Sequence, residues 1–142
     1  MAVQRDPQQI VSELFDAYCD HIDQRNLEPL ARVFTPDCQV SFGGVAIDGF
    51  PALLDFLRTG LARFDATRHV VSDSLVDEIS PERFRCVSRI RAWHRFVGNR
   101  PDLTIVGHYR NVFVSTDEGW RIAEHRGSEQ SRTTGEPSLE SS

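Results

Sequence analysis

Apolar residues recur at helical spacing near the start of the chain. Ile10, Val11, Leu14, Phe15, Tyr18, Cys19 and Ile22 form one stripe, which predicts a helix over residues 7–24. Asp6 before Pro7 supplies an N-cap and a first helical residue. Leu30, Val33 and Phe34 mark one side of a short helix over 27–34, stopped by Pro36. Residues 38–42 alternate like a strand, and Gly43-Gly44 breaks it. A third helix over 51–64 carries Leu53, Leu54, Phe56, Leu57, Leu61 and Phe64.

From Thr67 onward the texture changes to long strands. Residues 67–79, 84–97, 102–116 and 119–127 read as strands, separated by Ser80-Pro81, Gly98 to Pro101 and Thr116 to Gly119. Short connections between long strands imply an antiparallel meander. Helices followed by a run of strands make an α+β fold: a curved antiparallel sheet with the N-terminal helices packed on one face. Such a sheet is a natural cup for an apolar ligand. Residues 128–142 are rich in Ser, Thr, Glu and Gly, and Leu139 is their one aliphatic residue. They are expected to form a disordered tail behind a single domain over 1–127.

The 142 residues, 39% hydrophobic and 26% charged, fit one soluble globular domain. Sixteen basic residues stand against twenty-one acidic ones, for a formal net charge of −5. All the basic residues are Arg, so lysine Schiff-base chemistry is excluded. An acidic chain without a basic block is not built as a nucleic-acid binder. No apolar run is long enough to cross a bilayer, and the start, MAVQRDPQQ, lacks a signal-peptide core, so no membrane partner is expected. Cys19, Cys38 and Cys86 lie far apart without a C-x-x-C, which argues against a disulfide framework or structural zinc. They read as small buried hydrophobes in a reduced, cytoplasmic setting.

Polar groups on apolar faces carry the chemical information. Val11, Phe15 and Cys19 form a four-residue row on the first helix, and its next member is Asp23; Tyr18 sits on the neighbouring row. In 84–97 one face reads Cys86, Ser88, Ile90, Ala92, His94, Phe96, and the other is rich in Arg, so His94 faces inward. In 102–116 both faces are partly apolar; Arg110 leans the choice toward Tyr109 and Asn111 facing in. The facing of His69 is ambiguous. Asp23 also reads as a helix-end carboxylate and Tyr18 as a core aromatic. Two His and one carboxylate have the composition of a mononuclear metal site, but no H-x-D or H-x-x-x-H spacing accompanies them, so no metal is expected.

The order Tyr18-x4-Asp23, Asp37, Thr67-x-His69, Gly107-x-Tyr109-x-Asn111 and Gly119-Trp120-Arg121-Ile122 resembles the SnoaL-like branch of the NTF2-like superfamily. That resemblance implies a cone-shaped α+β fold. It further implies the site constellation of the scytalone dehydratases, whose Asp, two His and Asn match Asp23, His69, His94 and Asn111. Two tyrosines of that group are replaced here by Ile22 and Phe42. Tyr18 stands where the bile-acid dehydratases carry their Tyr, and Arg126 where they carry an Arg near the end of the last strand. The resemblance thus implies a cofactor-independent lyase or isomerase, of dehydratase or cyclase type, acting on a hydrophobic carbonyl-bearing ring such as a polyketide or steroid. His69 would be the base, oriented by Asp23. His94 would protonate a leaving hydroxyl or hold a water, and Asn111 and Tyr18 would donate to the substrate oxygen. Tyr109, Phe15, Phe42 and Arg126 would bind substrate. The alternative is a non-catalytic module of the same fold that binds a hydrophobic ligand or serves as a dimeric scaffold. One distance separates the readings: Asp23 within hydrogen-bond reach of His69 favours the enzyme. Trp93, Val106, Val112 and Val114 among the outward arginines predict a homodimer through the outer sheet face.

Overall fold

Asp6 caps the first helix by accepting a hydrogen bond from the Gln8 amide at 3.1 Å, and Pro7 opens the first turn. The computed structural model describes residues 5–135. Its elements are α1 (Pro7–Asp23), a single 3-10 turn (Glu28–Arg32), β1 (Phe34–Phe42), β2 (Val45–Asp48), α2 (Phe50–Leu61), β3 (Phe64–Ser80), β4 (Arg83–Phe96), β5 (Asp102–Thr116) and β6 (Gly119–Gly135). The predicted second helix is thus only the 3-10 turn. Strand β1 begins at Phe34, and its register against β6 shifts between Phe34 and Gln39, around Pro36, which has no amide hydrogen for the ladder.

Six strands form one sheet in the order β2-β1-β6-β5-β4-β3. The long strands β3 to β6 are the expected antiparallel meander. The four-residue β2 pairs antiparallel with β1, which lies parallel to β6, so the whole sheet is mixed. Helices α1 and α2 cover one face of this α+β fold with Ile10, Val11, Phe15, Tyr18, Cys19 and Ile22 from the first and Leu53, Leu57 and Leu61 from the second. Opposite them, β4 buries every second residue from Phe84 to Phe96, and its arginines point outward. Strand β5 turns Tyr109, Asn111 and Phe113 inward, which resolves its two-sided pattern. All three cysteines are buried and free.

The last strand does not stop at 127. Residues 128–135 continue β6 and pair with β5 as far as Asp102 opposite Gly135. The polar composition that suggests disorder is outweighed by a ready partner, because the first half of β5 offers a row of backbone groups to be satisfied. The rest of the expected tail, 136–142, lies outside the described residues. Strand β6 also holds one extra residue at two places: Ala123 between Ile122 and Glu124, and Gln130 between Glu129 and Ser131. Each bulge reverses which residues face inward.

Candidate active site

Helix α1 ends at Asp23, and the residue that turns the chain away is Arg25, in the left-handed region at φ 62°. A non-glycine residue there is strained. Its side chain offsets that cost by lacing the helix end to β3: Nη1 donates to the Ile22 carbonyl and to the Thr67 hydroxyl, each at 2.9 Å. Thr67 in turn donates to Asp23 Oδ1 at 3.0 Å. The other carboxylate oxygen accepts the backbone amide of His69 at 2.8 Å. The carboxylate is therefore held from two sides before it meets the imidazole.

His69 Nδ1 lies 2.7 Å from Asp23 Oδ1. A nitrogen facing a carboxylate at this distance carries the proton, so Nε2 keeps its lone pair. His94 stands edge-on to His69 with ring centroids 5.9 Å apart. Its Nδ1 is 3.2 Å from the Leu103 carbonyl, which accepts, so its Nε2 is also the lone-pair nitrogen. Burial pushes the His94 pKa below its ordinary value; the Leu103 carbonyl opposes this, while His69, Arg132 and Arg63 add to it. His94 is thus neutral near pH 7.

Both imidazoles line a cavity of about 540 Å³ between the helices and the concave sheet. Its walls are largely apolar: Ile22 from α1, Phe42 from β1, Phe56 and Leu57 from α2, Ile90 from β4 and Tyr109 from β5. Phe42 and Phe56 stack at 5.5 Å and 11°. A volume of this size takes a drug-sized, mostly apolar molecule. Among the described residues no three His, Cys, Asp or Glu side chains converge on a common point.

Of the residues singled out in the sequence, the fold brings Tyr18, His69, His94, Tyr109 and Phe42 to the cavity, with Asp23 directly behind His69. Three others stand elsewhere. Phe15 lies beneath the wall, stacked on Tyr109 at 6.3 Å and edge-on to Phe113 at 5.5 Å. Arg126, expected to bind substrate, is on the outer face and pairs with Glu124 at 3.3 Å. The bulge at Ala123 is the reason: it turns His125 inward and Arg126 outward. Asn111, expected as a donor to substrate, is buried behind the wall.

His125 was not evident from alternation, because the bulge breaks it. It is fully buried and sits between the rings of Tyr18, Phe34, Phe42 and Tyr109, with centroids 4.4–5.9 Å away. Asn111 Nδ2 donates to the Glu124 carbonyl at 3.3 Å and to His125 Nδ1 at 2.6 Å. An accepting Nδ1 places the proton on Nε2, which donates to the Tyr18 hydroxyl at 3.2 Å. With its oxygen occupied as acceptor, Tyr18 has its own hydrogen to donate, and the neighbouring Tyr109 hydroxyl is an acceptor for it. Asn111 therefore reaches the cavity indirectly, by fixing the tautomer that orients Tyr18. Burial pushes the His125 imidazole down to about 3, and it raises both Tyr18 and Tyr109, so all three are neutral near pH 7.

The family model described as a SnoaL-like domain matches residues 8–126. An uncharacterized protein of Mycobacterium tuberculosis is 30% identical over 118 residues, covering 79% of this chain and 78% of its own. A provisionally assigned scytalone dehydratase from Novosphingobium aromaticivorans superposes with a TM-score of 0.84 at 26% identity, over 89% of this chain and 85% of that one. A hexachlorocyclohexane dehydrochlorinase from Novosphingobium barchaimii shares the fold at a TM-score of 0.81 and 16% identity, over 89% and 88%. An NTF2-like superfamily protein from Salmonella enterica shares the fold at a TM-score of 0.78 and 15% identity, over 87% of this chain and 90% of that one.

Proposed function

The chain belongs to the SnoaL-like family, and on that premise we propose that it is a cofactor-independent lyase or isomerase acting on a hydrophobic, carbonyl-bearing ring compound. One observation carries the reading: Asp23 pins His69 Nδ1 at 2.7 Å, which leaves Nε2 as a base on the wall of an apolar cavity. The names of the two structural neighbours, a dehydratase and a dehydrochlorinase, add support for an elimination.

In this reading His69 Nε2 takes a proton from the carbon beside the carbonyl. Asp23 stabilises the imidazolium that forms. The electron pair moves onto the carbonyl oxygen, which receives the Tyr18 hydrogen bond. The enolate then re-forms its carbonyl as the β-hydroxyl leaves, and the proton on His69 passes to that hydroxyl to release water. An isomerase would return the proton to a more distant carbon instead. His94, neutral, accepts a hydrogen bond from the substrate hydroxyl or holds a water. The apolar walls strengthen each of these contacts.

A substrate-independent test reads the first step. In D₂O the protein should accelerate deuterium uptake at the acidic carbon of 2-tetralone, followed by NMR, and His69→Ala should return the rate to that of buffer. Equal rates with the wild type and His69→Ala would favour the non-catalytic binding module.

A further inference from the structure

The residue row through the base continues across the whole sheet. His69 pairs with Ala92, Ala92 with Ile105, and Ile105 with Arg132. All four residues line the same cavity. Arg132 reaches this row only because Gln130 is bulged; in unbroken alternation Ser131 would take its place. Three interstrand steps of about 4.8 Å put the two ends of the row about 14 Å apart along the arc.

A second arginine shares this cavity. Arg63, from the turn after α2, lines the same cavity. Its Nε donates to the Gly60 carbonyl at 3.4 Å, and its guanidinium sits over the Phe64 ring at 5.3 Å. Glu129, also lining the cavity, accepts from Arg132 Nε at 2.9 Å. Two guanidiniums against one carboxylate make a cationic rim on a chain whose formal net charge is −5. Both guanidiniums lie near enough to His94 to disfavour its protonation. The walls between the rim and the His pair are mostly apolar, so a charge is favoured only at the rim.

We propose that the substrate carries a carboxylate, held by Arg132 and Arg63 where they line the cavity, on an apolar body whose acidic carbon is presented to His69. This rests on the catalytic reading of the cavity and narrows its substrate class to hydrophobic keto acids. The bulged end of β6 is then a specificity element, and the arginines position the substrate without touching the reacting atoms. Guanidinium and carboxylate match in planar, two-point geometry, which a neutral amide cannot reproduce.

The test uses binding, so it stands apart from turnover. The probes are 2-naphthoate and 2-naphthamide, alike in shape and different in charge, titrated calorimetrically at low salt. Wild type should bind the naphthoate about tenfold more tightly, as expected of one charge-assisted contact. The double variant Arg63→Gln/Arg132→Gln should bring the two affinities together while leaving that for the naphthamide unchanged. Equal affinities in the wild type, a preference that survives in the double variant, or no binding of either probe at millimolar concentration would each overturn the proposal. Deuterium uptake by 2-tetralone, which has no carboxylate, reports separately on the His69 reading.

Discussion

An asparagine in place of Asp23 would offer His69 an N–H where it now finds an oxygen. The side-chain oxygen would stay on the His69 amide, and the new amide nitrogen would face Nδ1 and the Thr67 hydroxyl. His69 would then take the other tautomer and present N–H to the cavity, a donor in place of a base. Asp23→Asn should therefore lower deuterium uptake by roughly 10³-fold or more. It should also cost about 1–3 kcal/mol in thermal unfolding, because hydrogen bonds to a charge become bonds to a neutral group. An unchanged exchange rate would remove His69 as the base. At this scale the sequence was informative where periodicity was unbroken. The i, i+4 row of α1 leads to Asp23, and alternation along β4 leads to His94. His69 has an ambiguous pattern at the start of its strand, and only the contact with Asp23 decides it. His125 and Arg132 were not legible, since each faces inward by virtue of an unpaired residue that no alternation can show.

Among the elements, β6 depends most on a single close approach. A Cβ on Gly107 would lie 2.0 Å from the Ser128 carbonyl oxygen, so glycine is required for β6 to pass this near to β5. Gly107→Ala should push β6 away at its second bulge and cost about 2–3 kcal/mol in urea unfolding. It should also erase the preference for naphthoate, because Arg132 loses its place in the row. Loss of stability with the preference intact would mean that the bulge does not set the position of Arg132. Helices α1 and α2 and strands β4 and β5 were legible, because a 3.6 or 2.0 repeat survives over many residues, whereas β3 shifts register between Ser72 and Leu75. The short β2 and the polar half of β6 were not. Their pairing is supplied by partners distant in sequence, and their own side chains carry little apolar signal.

For the whole molecule, the outer sheet face is the remaining large surface. Trp93 lies between Arg68 and Thr104 there, and Val70 and Val106 flank Arg91. Val70 is about half exposed, at 48%. We propose that this face pairs two copies. Sedimentation should show a dimer at micromolar concentration, and Arg91→Glu, at the centre of the face, should shift the population toward monomer. A monomeric wild type would remove the idea. The meander was legible from turn spacing, but the parallel union of β1 with β6 was not, because it joins distant parts of the chain. That union joins the paired strands most distant in sequence. The β3 to β6 hairpins close short loops, whereas β1 must return across most of the chain to lie along β6. Val40 then comes opposite His125, and Phe34 and Phe42 complete the ring of aromatics around it. In the unfolded chain His125 is open to water and titrates near 6.5; in the fold its pKa is pushed down to about 3. The folded state thus binds fewer protons than the unfolded one between these values, so stability is full above about 6.5 and is lost progressively as pH falls toward 3. Folding in acid must therefore strip a proton from His125. Stopped-flow refolding should therefore slow below about pH 6 in the wild type, and His125→Gln should abolish that dependence.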